Sequence, residues 1–297
     1  MEKRIYTSAS NIQKPLVMVK EMIADIARGQ DLAKRLTIRD IKAMYRQSFL
    51  GIIWAFIIPI ANTVTWVFLN ATGLVEVGDT GIPYPIYVFS GTMIWAIFLE
   101  SLQAPIAIMT ANKSMIAKVN FPREALVMSA IYKSLFNSAI KAVILMVALG
   151  AMGYFAGFGL LFFPLALIAL VIAGTAIGLM LTPIGVLYTD ISKGLPLVMQ
   201  FLMYTTPVIY ALPKEGLAAK LVNNNPLTPL IMTARDWLTG QPAEFLNGFL
   251  WVTLGAVILL MVVMVFSMVT HKVFIRLFRN RLKCLMLMAL VMLLWQA

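Results

Sequence analysis

From residue 50 onward the chain alternates long apolar stretches with short polar or glycine-rich breaks. A helix needs about 20 apolar residues to cross about 30 Å of hydrocarbon. The pattern predicts spanning helices over about 50–73, 84–110, 125–152, 160–187, 195–212 and 248–270. The breaks alternate in charge. Lys113, Lys118 and Arg123 mark the second, and Asp190 and Lys193 the fourth. The first holds Glu76 and Asp79 without Lys or Arg, and the third, GAMGYFAGFG, is uncharged.

Two further stretches have helical periodicity without spanning length. Leu16, Met18, Val19, Met22, Ile23 and Ile26 make an amphipathic pattern over 15–29. In RDIKAMYRQSFLGIIWAFIIP, residues 39–59, the cations Arg39, Lys42 and Arg46 alternate with Ile41, Met44, Tyr45 and Phe49. A helix with one basic and one apolar face lies in a membrane interface. Gly51 lets the chain turn into the first span, and Pro59 predicts a kink there. The alternative is an ordinary basic flank to a first membrane helix.

The fifth stretch carries Pro207, which must end or bend a helix. Residues 213–247 are apolar for an external loop and accommodate two short helices, about 217–222 and 227–238, around Asn223, Asn224, Asn225 and Pro226. Irregular backbone at membrane depth is tolerated only inside protein or beside a wet cavity, so this part reads as a re-entrant or interfacial hairpin. The predicted fold is all-α and polytopic: six transmembrane helices, an N-terminal amphipathic interface helix and a re-entrant external hairpin between helices five and six. In domain terms, residues 1–49 form a cytoplasmic segment and 50–270 the membrane domain, with loop 111–124 and hairpin 213–247. Residues 271–297 form a basic, then apolar, cytoplasmic tail.

Composition agrees. Of 297 residues 61% are hydrophobic and 12% charged, and the mean hydropathy is +0.87, which excludes an ordinary soluble domain. The net charge of +11 does not point to nucleic acid. Of the 24 Lys and Arg, 19 fall in segments on one predicted side, which is the positive-inside pattern, with both termini cytoplasmic. Cys284 and His271 are the only residues of their types, which excludes an internal disulfide and a multi-histidine metal site. The first 49 residues contain no signal-peptide core, so the first span is expected to insert uncleaved. No GxxxxGK[ST], HExxH, GxSxG or paired-carboxylate constellation occurs. The chain reads as no enzyme, without a cofactor of its own, and any ATP must be bound by another polypeptide.

Charge within the spans needs a partner. Counting about 1.5 Å per residue from the inner helix ends puts Glu100 at about 15 Å and Lys133 at about 12 Å, so the two are expected to pair. Lys141 lies deeper and either snorkels or faces a channel. Structural glue is the plain reading of the Glu100–Lys133 pair. Gly174, Gly178 and Gly185 predict close helix packing. Trp54, Phe56, Trp66 and Phe68 on helix one, and Phe201, Tyr204 and Tyr210 on helix five, provide rings on which sugar faces can stack. Trp54 and Tyr204 are the expected channel pair. Interfacial belts and lipid-facing rings are the competing explanation.

Four stretches carry a resemblance: RDIKAMYRQSFLGIIWAFIIP, NKSMIAKVNFPRE at 112–124, LYTDISKGLPLVMQFLMYTTPVIY at 187–210 and NPLTPLIMTARDWL at 225–238. In this order they resemble the permease subunits of polysaccharide ABC exporters, which belong to the ABC type-2 transporters and move O-antigen, capsule or teichoic acid chains. The likeness runs from about residue 30 to about 280. It implies a homodimer in the bacterial inner membrane with two copies of an ABC ATPase, which carry ATP and Mg, and a lipid-linked polysaccharide as substrate. It further implies that Arg39, Lys42, Arg46, Lys113, Lys118, Phe121, Pro122 and Arg123 couple to the ATPase. Trp54, Phe56, Trp66, Phe201 and Tyr204 would line the substrate channel, and Asn225, Pro226 and Arg235 would belong to an external gate. The tail CLMLMALVMLLWQA departs from the family, whose members finish in a short polar helix. Export of a small lipid or drug is the alternative within transport, and a membrane scaffold is the alternative outside it.

Overall fold

The computed structural model describes residues 15–46, 53–75, 77–113, 123–154, 157–213 and 215–266. Among them every regular element is a helix: α1 (Pro15–Arg46), α2 (Trp54–Ala71), α3 (Tyr84–Ala111), α4 (Arg123–Ala151), a 3-10 turn (Phe158–Leu161), α5 (Phe163–Leu187), α6 (Thr189–Tyr204), α7 (Gly216–Asn224) and α8 (Leu227–Thr239), and then α9 (Leu246–Phe266). Four of these, α3, α4, α5 and α9, are long and apolar enough to cross a membrane. The first and fifth apolar stretches yield shorter helices than expected.

The centre is the pairing of α3 with α5. Both are apolar on nearly every side, which suits helices enclosed by others. Small residues bring them together. A Cβ on Gly174 would come within 2.8 Å of the Phe98 carbonyl oxygen and of Ser101 Cβ, and one on Gly178 would overlap the Leu102 carbonyl. The predicted close packing is therefore present, and α4 and α2 lie against other sides of α3.

Three boundaries differ from expectation. Residues 15–46 form one continuous helix, not two segments, because Gly29 is turned against α4, where its Cβ position lies 3.4 Å from Ala125 Cβ. Ala33, Leu36 and Thr37 follow on the same buried face. Asp190 and Lys193 lie in the first turns of α6 and not in a loop, since the break from α5 is a single extended residue, Tyr188 (φ −117°, ψ 111°). An aspartate in a first turn is favoured by the helix dipole. Finally, α6 stops at Tyr204, short of the expected 212. Pro207 supplies no N–H to continue it, and the hydroxyls of Thr205 and Thr206 both turn back to the Leu202 carbonyl.

The short helices α7 and α8 follow within a residue or two of the predicted bounds. In α8 every residue but Met232 is buried. Trp237 stacks between Phe162 (5.7 Å) and Phe249 (5.1 Å), which wedges α8 between the start of α5 and α9. Gly240 (φ 73°) then ends α8 in the left-handed conformation that an L side chain adopts at a cost. By contrast α9 leaves Leu250, Trp251, Leu254, Ile258 and Val262 uncovered, and α2 leaves Ile58, Val64 and Phe68 about as open. Apolar faces of that extent belong against lipid or another chain.

Candidate functional site

Residues 205–210 open the non-helical break between α6 and α7, and their carbonyls have no helical partners. Side chains from three directions supply donors. Arg235 Nη1 donates to Pro207 O (3.0 Å) and Nη2 to Val208 O (2.9 Å). Tyr84 Oη donates to Ile209 O (2.9 Å), and Tyr87 Oη lies 3.1 Å from Pro207 O and 2.8 Å from Tyr210 O. Asn225 Nδ2 reaches Thr205 O (3.3 Å) and Thr206 Oγ1 (2.9 Å), while its Oδ1 accepts from the Leu227 N–H at the start of α8 (3.0 Å). The break is thus satisfied as enclosed backbone must be.

Arg235 is 2% exposed, and no carboxylate pairs with it among the described residues. Its guanidinium carbon sits 3.7 Å from the centre of the Tyr87 ring, so charge is offset by the ring face and by carbonyl dipoles. Gly91, one turn along from Tyr87, leaves the space: a Cβ there would overlap Val208 O and Arg235 Nη2. Pro226 is exposed at the N-terminus of α8. Next to Arg235, Asp236 is buried, and that burial pushes its carboxyl up to about 7. Arg235 opposes the shift and Glu244 adds to it.

Against this clamped segment lies a pocket of about 280 Å³ lined by Trp66, Val75, Val77, Tyr204, Ile209 and Tyr210. Trp66 meets Tyr204 edge-on, centroids 6.1 Å apart. Tyr210 Oη donates to Tyr204 O (3.1 Å), and Ala211 N to Val77 O (2.9 Å), which ties the pocket's two rims. Of the rings expected along a channel, Trp66 and Tyr204 share this pocket, and Trp54 is not among its lining residues. Trp54 is twelve residues before Trp66, about 18 Å along α2, and is half exposed, as is Phe201 on α6. The side chain of Phe56 lies outside the described residues.

The intramembrane pair also needs correction. Glu100 pairs with Lys141 and accepts from Asn137 Nδ2, not with Lys133. The three α4 positions share a stripe, but the register of α3 against α4 sets Glu100 level with residues 137 and 141. Counting from helix ends could not see that offset. Ser134 and Asn137, on the same stripe, each leave a buried oxygen without a partner among the described residues.

At the opposite end, α1 is fastened to α3 and α4. Arg39 Nη2 donates to Asn112 Oδ1 (3.1 Å) and Nε to Asp40 (2.8 Å), and Thr37 Oγ1 lies 3.1 Å from Ser129 Oγ. Lys113 Nζ reaches Val186 O (3.3 Å), while Lys42 and Arg46 are exposed. Lys118, Phe121, Pro122 and the Arg123 side chain lie outside the described residues. Tyr84, Tyr87 and Gly91 were missed from sequence, although their spacing of three and four puts them on one face of α3.

Comparison with known proteins gives the family. A family profile described as "ABC-2 type transporter" matches residues 32–238. An O-antigen export system permease protein of Myxococcus xanthus is 24% identical over 214 residues, which covers 71% of this chain and 81% of that protein. One from Klebsiella pneumoniae is 24% identical over 225 residues, covering 74% and 82%. Since the profile takes in most of the chain, this multi-pass membrane protein belongs to the ABC-2 type transporter family.

Proposed function

We propose that the chain is the permease subunit of an ATP-driven exporter that carries a lipid-linked, O-antigen-like polysaccharide across the bacterial inner membrane. It works as a homodimer with two copies of a separate ABC ATPase, which bind ATP and Mg. Six spans, with α2 and α6 as the first and fifth, leave both termini in the cytoplasm. The family match and the names of the two relatives support this reading. The observation that carries it is the pocket of Trp66, Tyr204 and Tyr210. Ring faces hold sugar C–H faces by contacts that are weak and repeatable, about 1 kcal/mol each, so a polymer can slide over them.

Force enters at the other end. Loop 111–124, with Lys113, Lys118, Phe121, Pro122 and Arg123, docks on the ATPase, and Arg39, Lys42 and Arg46 on α1 act with it. The Arg39–Asn112 and Thr37–Ser129 bonds support motion of α1, the end of α3 and the start of α4 as one body. Hairpin 213–247, with Asn225, Pro226 and Arg235, bounds the outer end. Replacing both Trp66 and Tyr204 with alanine is expected to slow glycan export at least tenfold, with unchanged co-purification of the ATPase. Export at the wild-type rate by that double variant would defeat the polysaccharide path and favour a small lipid as cargo.

A further inference from the structure

Tyr204 and Tyr210 flank a backbone stretch that no helix or strand holds, yet rings over which a polymer slides must keep their places. Their places are set from behind. The two Nη atoms of Arg235 grip successive carbonyls, those of Pro207 and Val208. Tyr87 carries the guanidinium on its ring and shares its hydroxyl proton between Pro207 O and Tyr210 O. Tyr210 in turn donates to the Tyr204 carbonyl.

We propose that Arg235, acting through Tyr87, is the positioning residue for the Tyr204–Tyr210 face of the polysaccharide path. The inference rests on the aromatic path described above and adds what holds it. A buried cation with no salt bridge among the described residues is a costly way to fill space that leucine or methionine would fill. Arginine meets a requirement they cannot: its planar fork reaches two carbonyls at once, which a lysine ammonium does not match. Gly91 belongs to the same device, since any side chain there would displace both the fork and Val208. Helix α8, buried at every position but Met232, is the frame that carries the clamp.

The test uses the full chain with its ATPase in lipid nanodiscs, labelled with 5-fluorotryptophan, the Trp66 resonance being assigned with Trp66→Phe. A lipid-linked oligosaccharide is titrated, and hydrogen exchange is followed over 205–210. Tyr87→Phe, which keeps the ring and removes one donor, and Arg235→Lys are each expected to raise the half-shift concentration about tenfold, the equivalent of one hydrogen bond. Exchange over 205–210 should quicken, and the glycan-stimulated ATPase rate at saturation should stay within about twofold. Wild-type titration and exchange in both variants, with weakened binding in Tyr204→Ala, would overturn the positioning role and leave the aromatic path standing. Wild-type binding in Tyr204→Ala together with losses in the Arg235 and Tyr87 variants would overturn both, and reduce Arg235 to a purely structural part.

Discussion

Lys141 and Arg235 are both cations enclosed by an apolar bundle, and they are accommodated by opposite means. Lys141 has a carboxylate, Glu100, on the neighbouring helix, with Asn137 completing the group. Arg235 has backbone carbonyls and a ring face. The first arrangement needs two helices in register and leaves both helices intact. The second needs a helix to break, because only a break frees successive carbonyls for the guanidinium. A buried charge in this fold therefore reports local geometry: a side-chain pair marks continuous helices, and a backbone-held cation marks an interruption.

The contrast predicts different responses to mutation. Replacing either Glu100 or Lys141 with leucine strands its partner and is expected to cost about 3–5 kcal/mol, whereas the Glu100→Leu, Lys141→Leu double variant should recover most of that. Thermal inactivation of the four proteins in detergent measures the coupling. Additive losses in the double variant would show that the pair is not what joins α3 to α4. No second side-chain replacement is expected to compensate Arg235→Met in the same assay, since the oxygen acceptors it leaves unpaired, Pro207 O and Val208 O, belong to the main chain.

A smaller effect separates the regions by pH. The Asp236 carboxyl, held up at about 7 by burial, binds a proton in the folded protein that the unfolded chain releases from about 3.8 upward. The sign follows: the folded state holds more protons between pH 4 and 7, so stability falls across that window as pH rises. The contribution is fully present below about pH 4 and gone above about pH 7, at most about 4 kcal/mol. Asp236→Asn should flatten the profile and gain most at pH 8. An unchanged slope in that variant would remove Asp236 as the titrating group.

The smallest effects serve as controls for register. Lys133→Ala is expected within about 0.5 kcal/mol of wild type, because Lys133 is not the partner of Glu100. Thr37→Val should cost about 1 kcal/mol by removing its bond to Ser129 across α1 and α4. A Lys133→Ala loss as large as that of Lys141→Leu would restore the pairing read from helix-end counting.

Much of this molecule is legible without coordinates. The apolar runs locate α3, α4, α5 and α9. The glycine spacing in α5 announces its close approach to α3, and Pro207 announces the end of α6. The asparagine-proline junction separates α7 from α8 where expected. These features are local: hydrophobic length, small-residue spacing and a missing N–H act within a turn or two of the residue that carries them. Tertiary structure alone decided what met what. Glu100 chose Lys141 over Lys133 because interhelical register depends on packing along the whole of α3 and α4. Trp66 rather than Trp54 reached Tyr204 because a contact across helices requires a common level as well as a suitable residue. The burial of Arg235 and its grip on Pro207 O and Val208 O were not legible either, because which carbonyls a chain leaves free is known only once its helices have formed and packed.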